Sequence, residues 1–168
     1  MKFILFILLG VVLLLILQAY LRGLADKKGD KVVRSTQNSD SRWSEELFIS
    51  LTDQRIEPRG HLVELEPRLF RLDYYDVSEP DSHYEFLSKR GYQGGGPSWL
   101  GIIFGAIRMS DPEILQRIRF DEEGDGLAIW GSEKESLTQI MRLIAKVKSD
   151  DRLLLKAIQV AEEFGEME

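Results

Sequence analysis

Two hydrophobic patterns divide the chain. From Phe3 to Leu17 the run is apolar without a charge and with a single glycine, and after Gln18 it continues through Ala19, Tyr20 and Leu21. That makes about 19 residues, close to the ~20 a helix needs to cross a hydrocarbon core. Tyr20 stands where an interfacial aromatic belongs. A cleaved secretory signal is the competing reading, but its apolar core is usually about 7–15 residues long and ends at a small-x-small site. Neither Gln18-Ala19-Tyr20 nor Arg22-Gly23-Leu24-Ala25 supplies a good one. Residues 1–21 are therefore read as an uncleaved transmembrane anchor. Residues 22–41, polar and without apolar periodicity, read as a flexible tether.

From residue 42 onward the apolar positions are short and periodic, as in a water-soluble domain. Glu46–Thr52, His61–Leu65 and Arg68–Tyr75 are branched or aromatic runs that predict strands, with breaks at Pro58-Arg59-Gly60 and Glu66-Pro67. Pro80 suits a first helical turn, so a helix is expected after Ser78 or Glu79, carrying Tyr84, Phe86 and Leu87. Gly91 fits the left-handed position that stops it. After a glycine-rich turn, Trp99, Ile102, Ile103, Ala106 and Ile107 follow i, i+3, i+4, i+7, i+8. Leu100 and Phe104 make this helix apolar on a second side, which predicts a buried central helix. Gly101 and Gly105 are expected to let it pack closely against a sheet. Asp111-Pro112-Glu113 opens a short helix through Arg117. Ile118–Phe120 and Leu127–Trp130 predict two strands around an acidic turn, Asp121–Gly126. Ser132-Glu-Lys-Glu135 reads as a capping box before a helix that buries Leu137, Ile140, Met141, Ile144 and Val147. A last helix carries Leu154, Ala157, Ile158, Ala161 and Phe164. Strands early and helices late predict an α+β domain, an antiparallel sheet covered by helices, over residues 42–168.

Charge separates the two regions further. Residues 1–41 carry 6 basic and 3 acidic side chains, net +3, and residues 42–168 carry 16 and 25, net −9. The basic stretch Arg22 to Arg34 suits anionic headgroups. By the positive-inside rule it favours a single-pass protein with its domain in the cytoplasm, the opposite orientation remaining the alternative. An acidic domain lacks the basic face that nucleic-acid phosphates require. It suits a cationic protein partner, and it also simply keeps a domain soluble.

No constellation of catalytic residues emerges. The chain has no cysteine and two histidines, and His61-Leu-Val-Glu64 and His83-Tyr-Glu85 do not match helical zinc spacing. Neither a metal nor a cofactor is expected. The triple glycine 94–96 lacks the Gly-Lys-Ser/Thr ending of a phosphate loop, and its structural reading is a turn that brings the chain close to the Trp99 helix. Asp121-Glu-Glu-Gly-Asp-Gly126 has Ser132 where a calcium loop places its bidentate Glu. It reads as a solvated hairpin turn, or as a set of charges presented to a basic partner.

Taken together, several of these segments resemble the immunity protein 51 family of bacterial polymorphic toxin systems. The similarity lies in Phe86–Trp99 with its Gly91-Tyr92-x-Gly94-x-Gly96, in Pro112-Glu113-Ile114-Leu115, in Phe120-Asp121-Glu122-Glu123 and in Lys134-Glu135-Ser136-Leu137. These matches occur in family order and span roughly residues 80 to 160. The resemblance implies a non-enzymatic protein that neutralises a cognate antibacterial toxin, expected to be cationic, by occluding it. Gly91, Gly94, Gly96 and Trp99 are then expected to be structural. Asp121, Glu122, Glu123 and Asp125 are expected to meet the toxin, with Tyr92 as an aromatic anchor. The alternative is a membrane-anchored adaptor or assembly factor whose acidic domain binds a basic envelope protein.

Overall fold

Two hairpins build one sheet. Strand β1 (His61–Glu66) pairs antiparallel with β2 (Leu69–Tyr74), and β3 (Ile118–Glu123) with β4 (Gly126–Gly131). β2 and β4 join the hairpins antiparallel, giving the order β1-β2-β4-β3. The computed structural model describes residues 41–167. The apolar segment containing Phe3, Leu17 and Tyr20, and the tether up to residue 40, lie outside the described residues. Among the described residues no helix is long and apolar enough to cross a membrane.

The α+β class with an antiparallel sheet and covering helices is as the pattern predicts. Side chains alternate across each strand. Leu72, Tyr74, Leu127 and Ile129 are buried on the face where α3 (Gly96–Ser110) and α4 (Lys134–Lys148) lie. α5 (Asp151–Phe164) packs against these two helices rather than on the sheet. In α3 the five periodic residues Trp99, Ile102, Ile103, Ala106 and Ile107 are all buried, as are Leu137, Ile140, Met141, Ile144 and Val147 of α4. Burying one large apolar side chain contributes about 1.5–3 kcal/mol, so these two stripes fix the helices to the sheet.

Several expectations are corrected. Residues 46–52 do not form a strand: residues 41–50 are a helix, α1. Leu47, Ser50 and Leu51 are buried, with Trp43 packed against the same core. That spacing of three and four is helical, and it leaves Phe48 and Ile49 exposed. No helix starts at Pro80. A 3-10 turn occupies Asp76–Ser78, and α2 is a single short stretch, Tyr84–Ser88. Ser132 does not cap α4; Glu133 occupies the N-cap without a side-chain cap bond. The helix opened by Asp111 and Pro112 is a 3-10 helix, Pro112–Gln116, with Asp111 accepting the Glu113 N–H. Gly101 and Gly105 face the C-terminal region, not the sheet. A Cβ at Gly105 would run into the Ala157 carbonyl of α5, and one at Gly101 into Met167 and Glu166. Phe164 lies at the surface, its ring edge-on to Phe104 and under the Arg108 guanidinium.

Candidate protein-binding surface

The acidic turn and the glycine loop form one unit. β3 extends to Glu123, so Asp121, Glu122 and Glu123 belong to the strand, and the turn itself is Gly124-Asp125. The Gly96 N–H donates to the Gly124 carbonyl at 3.0 Å. A Cβ at Gly96 would collide with the carbonyl oxygens of Gly126 and Glu123, and one at Gly95 with that of Gly124. The glycines are therefore needed for a close approach of two backbones. Their neighbour is the hairpin tip, where the sequence suggested the Trp99 helix. Gly94 sits at φ +81, and its N–H donates to Ser98 Oγ at 2.8 Å, so the loop is held from both ends. Gly91, at φ +90, follows α2 and donates to the Ser88 carbonyl.

Trp99 is fully buried where this loop becomes α3. Its ring meets Tyr74 edge-on at 5.0 Å and His83 at 6.3 Å. Tyr92 packs against the core, and its hydroxyl donates to Glu162 Oε1 of α5. That carboxylate holds the phenol proton and pushes the Tyr92 pKa up to about 12. Tyr92 is thus already engaged within the fold.

The acidic side chains of the hairpin are arranged differently. Asp121, Glu122, Glu123 and Asp125 are exposed, and among the described residues none of their side chains has a hydrogen bond or ion pair. Arg119, one pleat from Asp121, is likewise exposed and its side chain has no hydrogen-bond or ion-pair partner among the described residues. Strand alternation divides the set. Arg119, Asp121 and Glu123 lie on the sheet face away from α3 and α4, while Glu122 lies on the helix side, beside Pro97, Leu100 and Met167. The four predicted acids therefore do not converge on one point.

A second cluster of charge was not foreseen in the sequence. The Lys148 ammonium is completely buried. It donates to Asp76 Oδ1 and to Glu79 Oε2, the latter at 2.7 Å, with Asp81 at 3.6 Å. The Tyr74 hydroxyl, Ser82 Oγ and the His83 N–H also donate to the Asp76 carboxylate. Burial beside these carboxylates drives the Tyr74 pKa upward. Arg59 closes the cluster with bonds of 2.9 Å to Glu79 and 2.7 Å to Asp81. Its guanidinium holds the Asp81 pKa down to about 2, and the Arg59 pKa rises in return.

An open groove of about 640 Å³ borders this cluster, lined by Asp53, Glu57, Arg59, Glu79 and Lys146 among others. Its two cations are both engaged, Arg59 as above and Lys146 with Glu46 at 2.6 Å. It therefore offers no unpaired cation to an anionic ligand. Among the described residues no three His, Asp or Glu side chains are placed to hold a metal ion.

An antiparallel sheet backed on one face by helices, with paired charge inside and unpaired charge at one hairpin, places the domain in the α+β class. Residues 62–163, more than half of the chain, match the model of the family Immunity protein 51. The chain belongs to that family, whose members are immunity proteins acting on a cognate toxin and generally not by catalysis. The matched region begins at Leu62 and so takes in the first hairpin, which the sequence resemblance had left out. No curated protein and no solved structure matches the chain.

Proposed function

We propose that this protein neutralises its toxin by stoichiometric, non-catalytic occlusion, with the β3–β4 hairpin as the principal contact. The observation that carries this reading is the unpaired charge of Asp121, Glu122, Glu123 and Asp125 on a hairpin whose tip is bonded to the Gly94–Gly96 loop. Side chains with no intramolecular partner lose none on binding, and a hairpin braced in this way needs little ordering. Acidic charge at the tip, on a domain of net charge −9, steers a cationic toxin and speeds encounter.

The apolar run of residues 1–21 anchors the protein in the bacterial inner membrane. The basic segment from Arg22 to Arg34 keeps the domain on the cytoplasmic side. Confinement there raises the effective concentration against a toxin arriving through or near the membrane.

Co-expression with its cognate toxin domain, expected to be encoded in a neighbouring gene, tests the main claim. Growth should be restored, and the purified complex should weaken as salt is raised. If growth is not restored, or if pull-downs return an endogenous envelope protein and no toxin, the reading fails. A reporter fused to the C-terminus tests the cytoplasmic placement. Protection that survives deletion of residues 1–41 at matched expression would show the anchor to be dispensable.

A further inference from the structure

The sheet has a face that none of the described helices covers. β2 and β4 are its central strands, and cross-strand pairing places Trp130 of β4 between Arg71 of β2 and Arg119 of β3. Residues directly opposite one another in an antiparallel sheet share a face, so Arg71, Trp130 and Arg119 form one row. Asp73, Ala128 and Asp121 form the next. α3 and α4 pack on the other side, against Leu72, Tyr74, Leu127 and Ile129.

Trp130 is half-buried at the centre of this face. The Arg71 guanidinium lies 5.4 Å from its ring, steadied by Asp73 at 2.9 Å. The indole Nε1 is shielded from water and donates to nothing among the described residues. Tyr75 lies exposed beside Gly126 on the same face. A tryptophan, a tyrosine and two arginines are the residue types that dominate binding energy at protein interfaces.

Resting on the reading of the protein as a toxin-binding immunity protein, we infer that the toxin docks across this open sheet face, with Trp130 as the central anchor. The hairpin acids then form one edge of the contact. The charges on the face specify the partner. Moving along β3 from Arg119 to Glu123, the sign changes from positive to negative over about 13 Å. The toxin surface that fits presents lysine or arginine to Asp121 and Glu123, an apolar or aromatic side chain to Trp130, and a carboxylate to Arg119. Glu122, on the helix side of the same hairpin, stands at the rim of the contact. A second copy of this chain is the less favourable occupant, because two domains of net charge −9 repel each other.

The full-length protein and its cognate toxin domain provide the test, with affinity read by calorimetry. Trp130→Ala should weaken binding roughly 30-fold or more, as a central anchor does. Arg119→Glu, at an exposed position, should weaken it about tenfold, with folding checked by urea unfolding. Phe164→Ala, at the exposed end of α5, should leave it unchanged. If the toxin binds and neither Trp130→Ala nor Arg119→Glu alters its affinity, the sheet face is not the contact and this inference falls while the proposed function stands. It falls equally if the free protein is a dimer that Trp130→Ala dissociates without changing toxin affinity. Absence of any complex with the wild-type chain would sink the proposed function and this inference together.

Discussion

The Lys148 cluster and the β3–β4 hairpin use charge in opposite ways. Around Lys148, two carboxylates, a phenol and a serine hydroxyl converge on one ammonium and on each other, inside the fold. At the hairpin, Arg119, Asp121, Glu122, Glu123 and Asp125 stand in water with no partner among the described residues. The first arrangement fixes the Asp76–Asp81 segment to the end of α4, because separating buried charges is costly. The second contributes almost nothing to holding the fold, which leaves those charges available to another molecule. Charge in this protein thus divides into a structural set and an unpaired set, and substitutions should separate the two.

The largest effect is expected at Lys148. Lys148→Met leaves Asp76 buried without its cation and should cost about 3–5 kcal/mol, measured by urea unfolding. Asp76→Asn in the same chain should return part of that loss. Gly96→Ala comes next, because its methyl group meets backbone rather than a movable side chain. A loss of about 1–3 kcal/mol is expected. At Gly124, where a Cβ would meet nothing, alanine should change stability by no more than about 0.5 kcal/mol.

Acid should act on the rim of the structural set. Asp81 has its folded pKa held down at about 2 by Arg59. Its contribution is therefore present above the ordinary carboxylate pKa and is lost as pH falls from about 4 toward 2. Asp81 is nearly half exposed, so solvent screening limits the effect to roughly 1 kcal/mol or less. Arg59→Gln should remove that pH dependence in acid-unfolding curves. The smallest effect lies at Tyr92, whose raised pKa makes its contribution constant below pH 10 and lost as pH rises toward about 12. Ultraviolet titration should show two late-ionising tyrosines, Tyr92 and the buried Tyr74, and Glu162→Gln should return only Tyr92 toward ordinary ionisation.

The three long helices were legible because each carries its apolar stripe within its own sequence. The 41–50 helix was not. Leu47-Phe48-Ile49 has strand-like composition, and only the burial of Leu47 and Leu51 four apart reveals its period. The acidic hairpin was visible as a run of charges, but its division between two faces required strand register. The glycines were recognised as a close-approach signal, whereas the backbone they approach is set by tertiary contact. The Lys148 cluster left no local trace, since Asp76 lies 72 residues away. Lys148 reads in sequence as an ordinary basic residue at a helix C-terminus.

The most direct measurement is a titration of toxin activity with the purified protein, for the wild-type chain and for the Asp121→Lys/Glu123→Lys double variant. The wild type should abolish activity linearly, with an end point at one equivalent. The double variant should unfold at the same urea concentration as the wild type yet fail to inhibit at that ratio. Inhibition by far less than one equivalent would contradict occlusion, and full inhibition by the charge-reversed variant would contradict the role of the hairpin.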